Sequence, residues 1–208
     1  MDMLAIAGSV PVIPVLTIER LADAVPLARA LVRGGLPVLE ITLRTESALD
    51  ALKAIATEVP DAVVGAGTVL TSDQLDRAKA SGAQFAVSPG CTAGLAAAAV
   101  AAKLPFLPGV QTISEAMTLV AQGFRFLKFF PAGAAGGLDW LRSAAAPLAG
   151  VRFCPTGGIG ADNAAAFLAL SNVVCVGGSW VAPRISVAAG DWAEVERLAA
   201  AAARVKRP

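Results

Sequence analysis

The sequence contains neither histidine nor tyrosine. Without an imidazole, Ser-His-Asp and Cys-His nucleophiles are excluded, and so is a histidine-ligated metal. Without a phenol, acid–base work falls to carboxylates, amines, hydroxyls or water. Charge is also scarce. Charged residues make up 16% of the 208 positions and their signs nearly cancel, at a formal +1. No basic stripe interleaved with aromatics occurs, which argues against a nucleic-acid partner. The tail residues Arg204, Lys206 and Arg207 read as a solvated helix end. The cysteines, Cys91, Cys154 and Cys175, show no CxxC spacing and no disulfide framework, as expected of a reducing compartment. Cys154 and Cys175 lie in apolar runs and are expected in the core. Cys91 follows Ser88-Pro89-Gly90 and has no histidine to activate it. The chain is 56% hydrophobic, yet the uncharged stretch from Ala80 to Ala102 is interrupted by Gln84, Ser88, Pro89 and glycines and is not expected to span a membrane. The start, MDMLAIAGSVPVIPV, carries an acidic Asp2 and no basic segment, so no signal peptide is expected.

What is abundant is alternation. Short apolar or β-branched runs at Val10–Ile18, Pro37–Leu43, Ala62–Thr68, Phe85–Ser88, Phe106–Pro108, Phe124–Phe130, Arg152–Pro155 and Val173–Val176 read as strands. Alanine-rich helical patterns follow them, as at Glu19–Val32, Ser47–Glu58, Ser72–Ala80 and Ser114–Gln122. The unit recurs about every 20–27 residues, as β/α units do. Thr45, Ser72 and Ser114 are expected helix caps, and Gly34-Gly35, Gly82 and Gly123 expected helix stops. The pattern predicts an α/β fold, a (β/α)8 TIM barrel, formed by one domain over residues 1–208. An open doubly wound sheet is the alternative, but the GAG at 65–67 lacks the further glycine of a nucleotide-binding fingerprint.

In such a barrel, functional residues lie at the C-terminal ends of strands. Two charges stand out there. Lys53, Lys79, Lys103 and Lys206 fall in helical or tail segments, whereas Lys128 sits inside the strand FRFLKFF. Most carboxylates also fall in helices or loops, whereas Glu40 lies inside PVLEITLR. A buried unpaired charge is costly, so each demands a partner or a changed charge state. The two could form an internal ion pair that merely supports the barrel, although such pairs add little net stability. The strand period puts Glu40, Thr42 and Arg44 on one face, with Arg44 higher, towards the mouth. Burial and a neighbouring cation favour a neutral amine, which attacks carbonyl carbon. Thr68, Ser88 and Pro89 end further strands. Thr156 precedes Gly157-Gly158, and Gly177-Gly178-Ser179 follow the last strand. Glycine turns expose backbone N–H groups to an anion, and loops after strands seven and eight form the usual barrel phosphate site. An amine, a carboxylate, a guanidinium and a phosphate cradle suit Schiff-base chemistry on a phosphorylated 2-oxo acid, with no metal or cofactor. Arg184 is expected near the last loop, in a solvent-exposed role.

The strings VLEITLRT (38–45), VGAGTVL (64–70), GAQFAVSPG (82–90), LKFFPA (127–132), RFCPTGGI (152–159) and VGGSW (176–180) closely resemble those of the 2-keto-3-deoxy-6-phosphogluconate aldolases, which often also cleave 4-hydroxy-2-oxoglutarate. The resemblance runs over essentially the whole chain, in order. It implies a class I aldolase barrel of the Entner–Doudoroff pathway, usually a homotrimer, in the bacterial cytoplasm. It further implies Lys128 as the Schiff-base lysine and Glu40 as the acid–base carboxylate. Arg44, Thr68 and Pro89 would bind the substrate carboxylate, with Phe130 at the pyruvyl end and Thr156 at the substrate hydroxyls. Gly157, Gly158, Gly178 and Ser179 would hold the phosphate. Two departures are visible: Gly133 stands where the family often has glutamate, and Cys91 where a larger apolar residue is usual. The alternatives are an aldolase for the galactonate epimer, a phosphate-binding barrel isomerase or synthase without imine chemistry, and a non-catalytic phosphosugar-binding protein.

Overall fold

The computed structural model describes residues 2–206, so Arg207 of the basic tail lies outside the described residues. Within them, the strands are β1 (Val12–Leu16), β2 (Val38–Thr42), β3 (Val63–Gly67), β4 (Phe85–Val87), β5 (Phe106–Leu107), β6 (Gly109–Val110), β7 (Phe126–Phe129), β8 (Arg152–Pro155) and β9 (Val176–Gly178). All pair in parallel. One sheet has six strands in the order β5-β4-β3-β2-β1-β9, and a second has the order β6-β7-β8. Parallel strands separated by helices are what alternating apolar and alanine-rich segments should give.

The strands are short and buried, as parallel strands covered on both faces should be. All of β2, VLEIT, is buried, Glu40 and Thr42 included. Strand β7, FLKF, is likewise buried throughout. Its residues alternate between two surroundings. Phe129 stacks on Trp140 of the helix Gly137–Ala145 at 4.2 Å between centroids, and Trp140 meets Phe153 edge-on at 5.5 Å. Lys128 and Phe130 instead line a cavity. The aromatic clamp on one face thus fixes the direction of the lysine on the other.

Several sequence expectations are refined. The strand expected at Phe106–Pro108 continues to Val110 but is divided at Pro108, which has no N–H to donate. The last strand is Val176–Gly178 rather than Val173–Val176, with Val173 in an isolated bridge to Phe153. The glycines therefore form the strand's end instead of following it. The helix expected at Glu19–Val32 starts only at Ala24, after a single tight turn at Leu21–Asp23. Pro26 explains this, because proline is tolerated in a helix's first turn but not further in. The caps fall one or two residues from those expected. Thr71 and Thr112 accept from Gln74 and Glu115 N–H, and Thr112 with Glu115 makes a reciprocal capping box. Ser47 takes the place of Thr45 before the helix Ala48–Glu58. Gly35, Gly82 and Gly123 follow helix ends with φ of 89°, 94° and 94°, the left-handed geometry expected of those stops.

Candidate active site

The strands deliver polar groups to one cavity of about 520 Å³. Lys128, Arg44, Phe130, Thr156, Gly157, Gly158, Gly178 and Ser179 all line it. Lys128 Nζ lies 3.2 Å from Glu40 Oε1, and the two side chains are only 5% and 4% exposed. Almost complete burial makes this contact the main electrostatic feature of the interior. Each partner offsets the other's desolvation, and neither could remain charged alone without a large penalty. The Lys128 ammonium position is 5.3 Å from the centre of the Phe130 ring, close enough for the ring face to attract a cation. Glu40 lies behind the cavity lining and reaches the cavity through its contact with Lys128.

Arg44 lies at the mouth. Its Nε donates to Thr68 Oγ1 at 2.9 Å. That bond uses only one edge of the guanidinium, so a carboxylate in the cavity can be met by the terminal nitrogens in a fork. Thr68 has a φ of 57°, an unusual left-handed conformation for a β-branched residue. Such a conformation costs on the order of 1–3 kcal/mol and persists where surrounding structure demands it. Here it comes directly after β3 and accompanies the hydroxyl's contact with Arg44. Thr42, expected on the same face as Glu40, donates its hydroxyl to Leu16 O at 2.9 Å and ties β2 to β1. Pro89 does not line the cavity. Its carbonyl packs against Gly109, where a Cβ would overlap it, and Gly109 is the register partner of Lys128. The Pro89 turn is thus one strand away from the lysine.

The glycine loops come together in the same cavity. Thr156 bridges to Gly177, and Gly157 and Gly158 have φ of 93° and 73°. In that left-handed region glycine is the low-cost residue. Gly133 N–H donates to Gly157 O at 2.9 Å, and Ala132 N–H to Thr156 O at 2.8 Å. The residue that departs from the family pattern therefore supports the glycine turn through its backbone.

Some lining residues escaped sequence reasoning. Arg20 and Asp23 also line the cavity and form a two-point contact, with Nε–Oδ2 at 2.8 Å and Nη2–Oδ1 at 2.9 Å. The helical pattern expected over Glu19–Val32 hid this pair, since its signal was only a short i,i+3 spacing. Arg184 lines the rim, 91% exposed, at 3.6 Å from Glu19. Cys154 and Cys175 are buried in the core as expected. Among the described residues, no group of three or more cysteine, aspartate or glutamate side chains is placed to hold a metal ion.

Cys91 is half-buried, and burial pushes its thiol up to about 11, against a smaller opposing effect of a backbone contact with Ala96. At pH 8 only about one thiol in a thousand would then be thiolate. Alkylation of Cys91 by iodoacetamide at pH 8 is expected to be more than about 100-fold slower than that of free cysteine. Peptide mass spectrometry against time checks this, and Cys91→Ser should leave turnover within about twofold.

The comparisons with known proteins bear on this arrangement. The family model described as KDPG and KHG aldolase matches residues 4–198. The chain is 51% identical over 189 residues to the KHG/KDPG aldolase of Escherichia coli K12, covering 91% of this chain and 89% of that protein. It is 50% identical over 206 residues to the 2-dehydro-3-deoxy-phosphogluconate aldolase of Zymomonas mobilis, covering 99% and 97%. Among solved structures it is similar to a KDPG aldolase from Legionella pneumophila, with pyruvate captured at low pH as a covalent carbinolamine intermediate. That match has a TM-score of 0.96 and 43% identity, and covers 98% of each chain.

Proposed function

This chain belongs to the KDPG and KHG aldolase family, and we propose that it is a class I aldehyde-lyase that cleaves 2-keto-3-deoxy-6-phosphogluconate to pyruvate and glyceraldehyde 3-phosphate. Cleavage of 4-hydroxy-2-oxoglutarate to pyruvate and glyoxylate is a second activity of the same site. The observation that carries the reading is the buried Lys128–Glu40 contact at 3.2 Å, opening on a cavity that also receives Arg44 and both glycine loops.

The residues divide the work as follows. Neutral Lys128 attacks C2 of the oxo acid, and loss of water gives an iminium ion. Glu40, through a water, takes the proton of the C4 hydroxyl. The C3–C4 bond breaks, its electrons pass into the iminium as an enamine, and glyceraldehyde 3-phosphate leaves. Glu40 then returns the proton to C3, and hydrolysis releases pyruvate and restores the amine. Arg44 holds the carboxylate end, with Thr68 hydrogen-bonded to it and the Pro89 turn backing that end from the neighbouring strand. Phe130 packs at the pyruvyl end, and Thr156 meets the hydroxyls. Gly157, Gly158, Gly178 and Ser179 hold the phosphate. With both ends fixed, the scissile bond is held over the lysine, and orientation supplies part of the rate enhancement. No cofactor enters these steps.

The whole of 1–208 is taken as one (β/α)8 barrel domain. In support, β5 and β6 flank Pro108 as halves of one strand, and the Thr156–Gly177 bridge joins β8 to β9. Location in the cytoplasm and assembly as a homotrimer belong to the same reading. Among the described residues no helix is long and apolar enough to cross a membrane, and sedimentation velocity tests the subunit number.

Two tests apply directly. Pyruvate release should be measured on 2-keto-3-deoxy-6-phosphogluconate, on its galactonate epimer and on 4-hydroxy-2-oxoglutarate. The gluconate substrate is expected to be cleaved with the highest kcat/KM. Faster cleavage of the epimer would reassign the substrate, and no cleavage of any would favour an isomerase, synthase or binding protein on the same barrel. Arg44→Ala should raise KM for the oxo acid by about 10- to 100-fold, the loss of charge-assisted hydrogen bonds to a carboxylate. Steady-state kinetics at saturating and limiting substrate separate that effect from a change in kcat.

A further inference from the structure

Glycine within a strand is ordinarily a weakness, since it adds backbone entropy to the unfolded chain and packs no side chain. Strand β3 nevertheless ends Gly65-Ala66-Gly67. Its pairing with β2 sets Gly65 against Glu40 and Gly67 against Thr42. In parallel pairing, partners share a face, so both glycines face the interior that holds the lysine. The two leave room for different occupants. A Cβ at Gly65 would lie 2.5 Å from atoms of the Phe85 ring. A Cβ at Gly67 would overlap Glu40 Oε1 and lie 2.5 Å from its Cγ and 2.8 Å from its Cδ. Oε1 is the oxygen that contacts Lys128.

We propose that Gly67 is a positioning residue for Glu40: the space left by its missing side chain is occupied by the carboxylate and keeps Oε1 against Lys128. The Glu40 side chain is itself only 4% exposed, so it has little freedom to retreat. A methyl group at position 67 displaces the acid–base group without touching substrate. The inference rests on the role given to Glu40 above.

The test is a double-mutant cycle of Gly67→Ala and Glu40→Ala, read by kcat, by thermal midpoint and by trapping of pyruvate on Lys128 with borohydride. Gly67→Ala alone is expected to lower kcat by about 10²-fold, the scale of a misplacement of about 1 Å at a reacting centre. It should also lower the thermal midpoint, with pyruvate still trapped on Lys128. In the Glu40→Ala background, where the space is vacated, adding Gly67→Ala should change kcat by less than about twofold and cause no further fall in the midpoint. Equal losses in both backgrounds would make Gly67 a general packing residue, and an unchanged Gly67→Ala would overturn the proposal outright. If Gly67→Ala fails to fold, recovery of a folded double variant supports the proposal, and failure of both overturns it. A Glu40→Ala protein with parental turnover removes the carboxylate from the chemistry, and the positioning role with it. Absence of a pyruvate adduct in the parent protein overturns the imine reading itself, a different result from any of these.

Discussion

Lys128→Met is expected to abolish aldol cleavage, by more than about 10⁵-fold or about 7 kcal/mol of transition-state stabilisation. The amine is the only group in the cavity assigned to attack C2, and a thioether of similar length fills its space without nucleophilicity. The same substitution has a second consequence. Glu40 is 4% exposed at its side chain and lies 3.2 Å from Lys128 Nζ. Removing the cation leaves a buried carboxylate without its counter-charge, which costs about 3–5 kcal/mol of stability. Loss of activity could then be mistaken for loss of fold. The Lys128→Met/Glu40→Gln double variant separates them, because it replaces the ion pair by neutral side chains of similar size. It should recover much of the stability and none of the turnover. Denaturant unfolding alongside a coupled assay for pyruvate checks both. A double variant that is stable and still cleaves the substrate would remove Lys128 from the mechanism.

Glu40→Gln carries the second largest effect. Positioned proton transfer is typically worth about 10²–10⁴-fold, and kcat should fall on that scale. The amide keeps the shape of the carboxylate and can still contact the Lys128 side chain, so the fold should persist. Pyruvate should still be captured on Lys128, since carbonyl attack needs the amine more than the carboxylate. Exchange of the C3 protons of pyruvate with solvent should slow together with cleavage, because both require proton transfer at C3. Proton NMR in deuterated buffer measures that exchange separately from bond cleavage. Slowed cleavage with unchanged exchange would confine Glu40 to the C4 hydroxyl step.

Lys128 and Glu40 were legible in the sequence for one physical reason. A charge inside an apolar strand is expensive, so such positions are few and conspicuous. Arg44 followed from Glu40 by the alternation of a strand, and the 2.9 Å contact joins it to Thr68, another strand end. The glycine turns were legible as a pair, but their exact place was not. Gly178 ends β9 instead of following it, because glycine carries no side-chain signal to distinguish a strand end from a loop. The division of the fifth strand was also hidden. Pro108 reads as a terminus in sequence, whereas the hydrogen bond from Lys128 N–H to Pro108 O and the pairing of Gly109 with Lys128 show the run continuing alongside β7. The Arg20–Asp23 pair was lost in a pattern read as helix from Glu19, because a turn and a first helical turn have similar composition. Gly67 was legible only as part of motifs, a GAG that failed to match a nucleotide loop and the string VGAGTVL, and neither gave it a role of its own. Its significance lies in which neighbour occupies the vacated space, and that depends on pairing between strands far apart in sequence.

The most direct test of the account is to locate the imine. The protein should be incubated with pyruvate, reduced with borohydride, digested and examined by peptide mass spectrometry. One adduct on Lys128, absent without pyruvate and absent from Lys128→Met, is the predicted result. A folded protein that yields no adduct, under conditions that trap another class I aldolase, would contradict the imine mechanism and leave Lys128 and Glu40 as a structural ion pair beneath a phosphate-binding cavity.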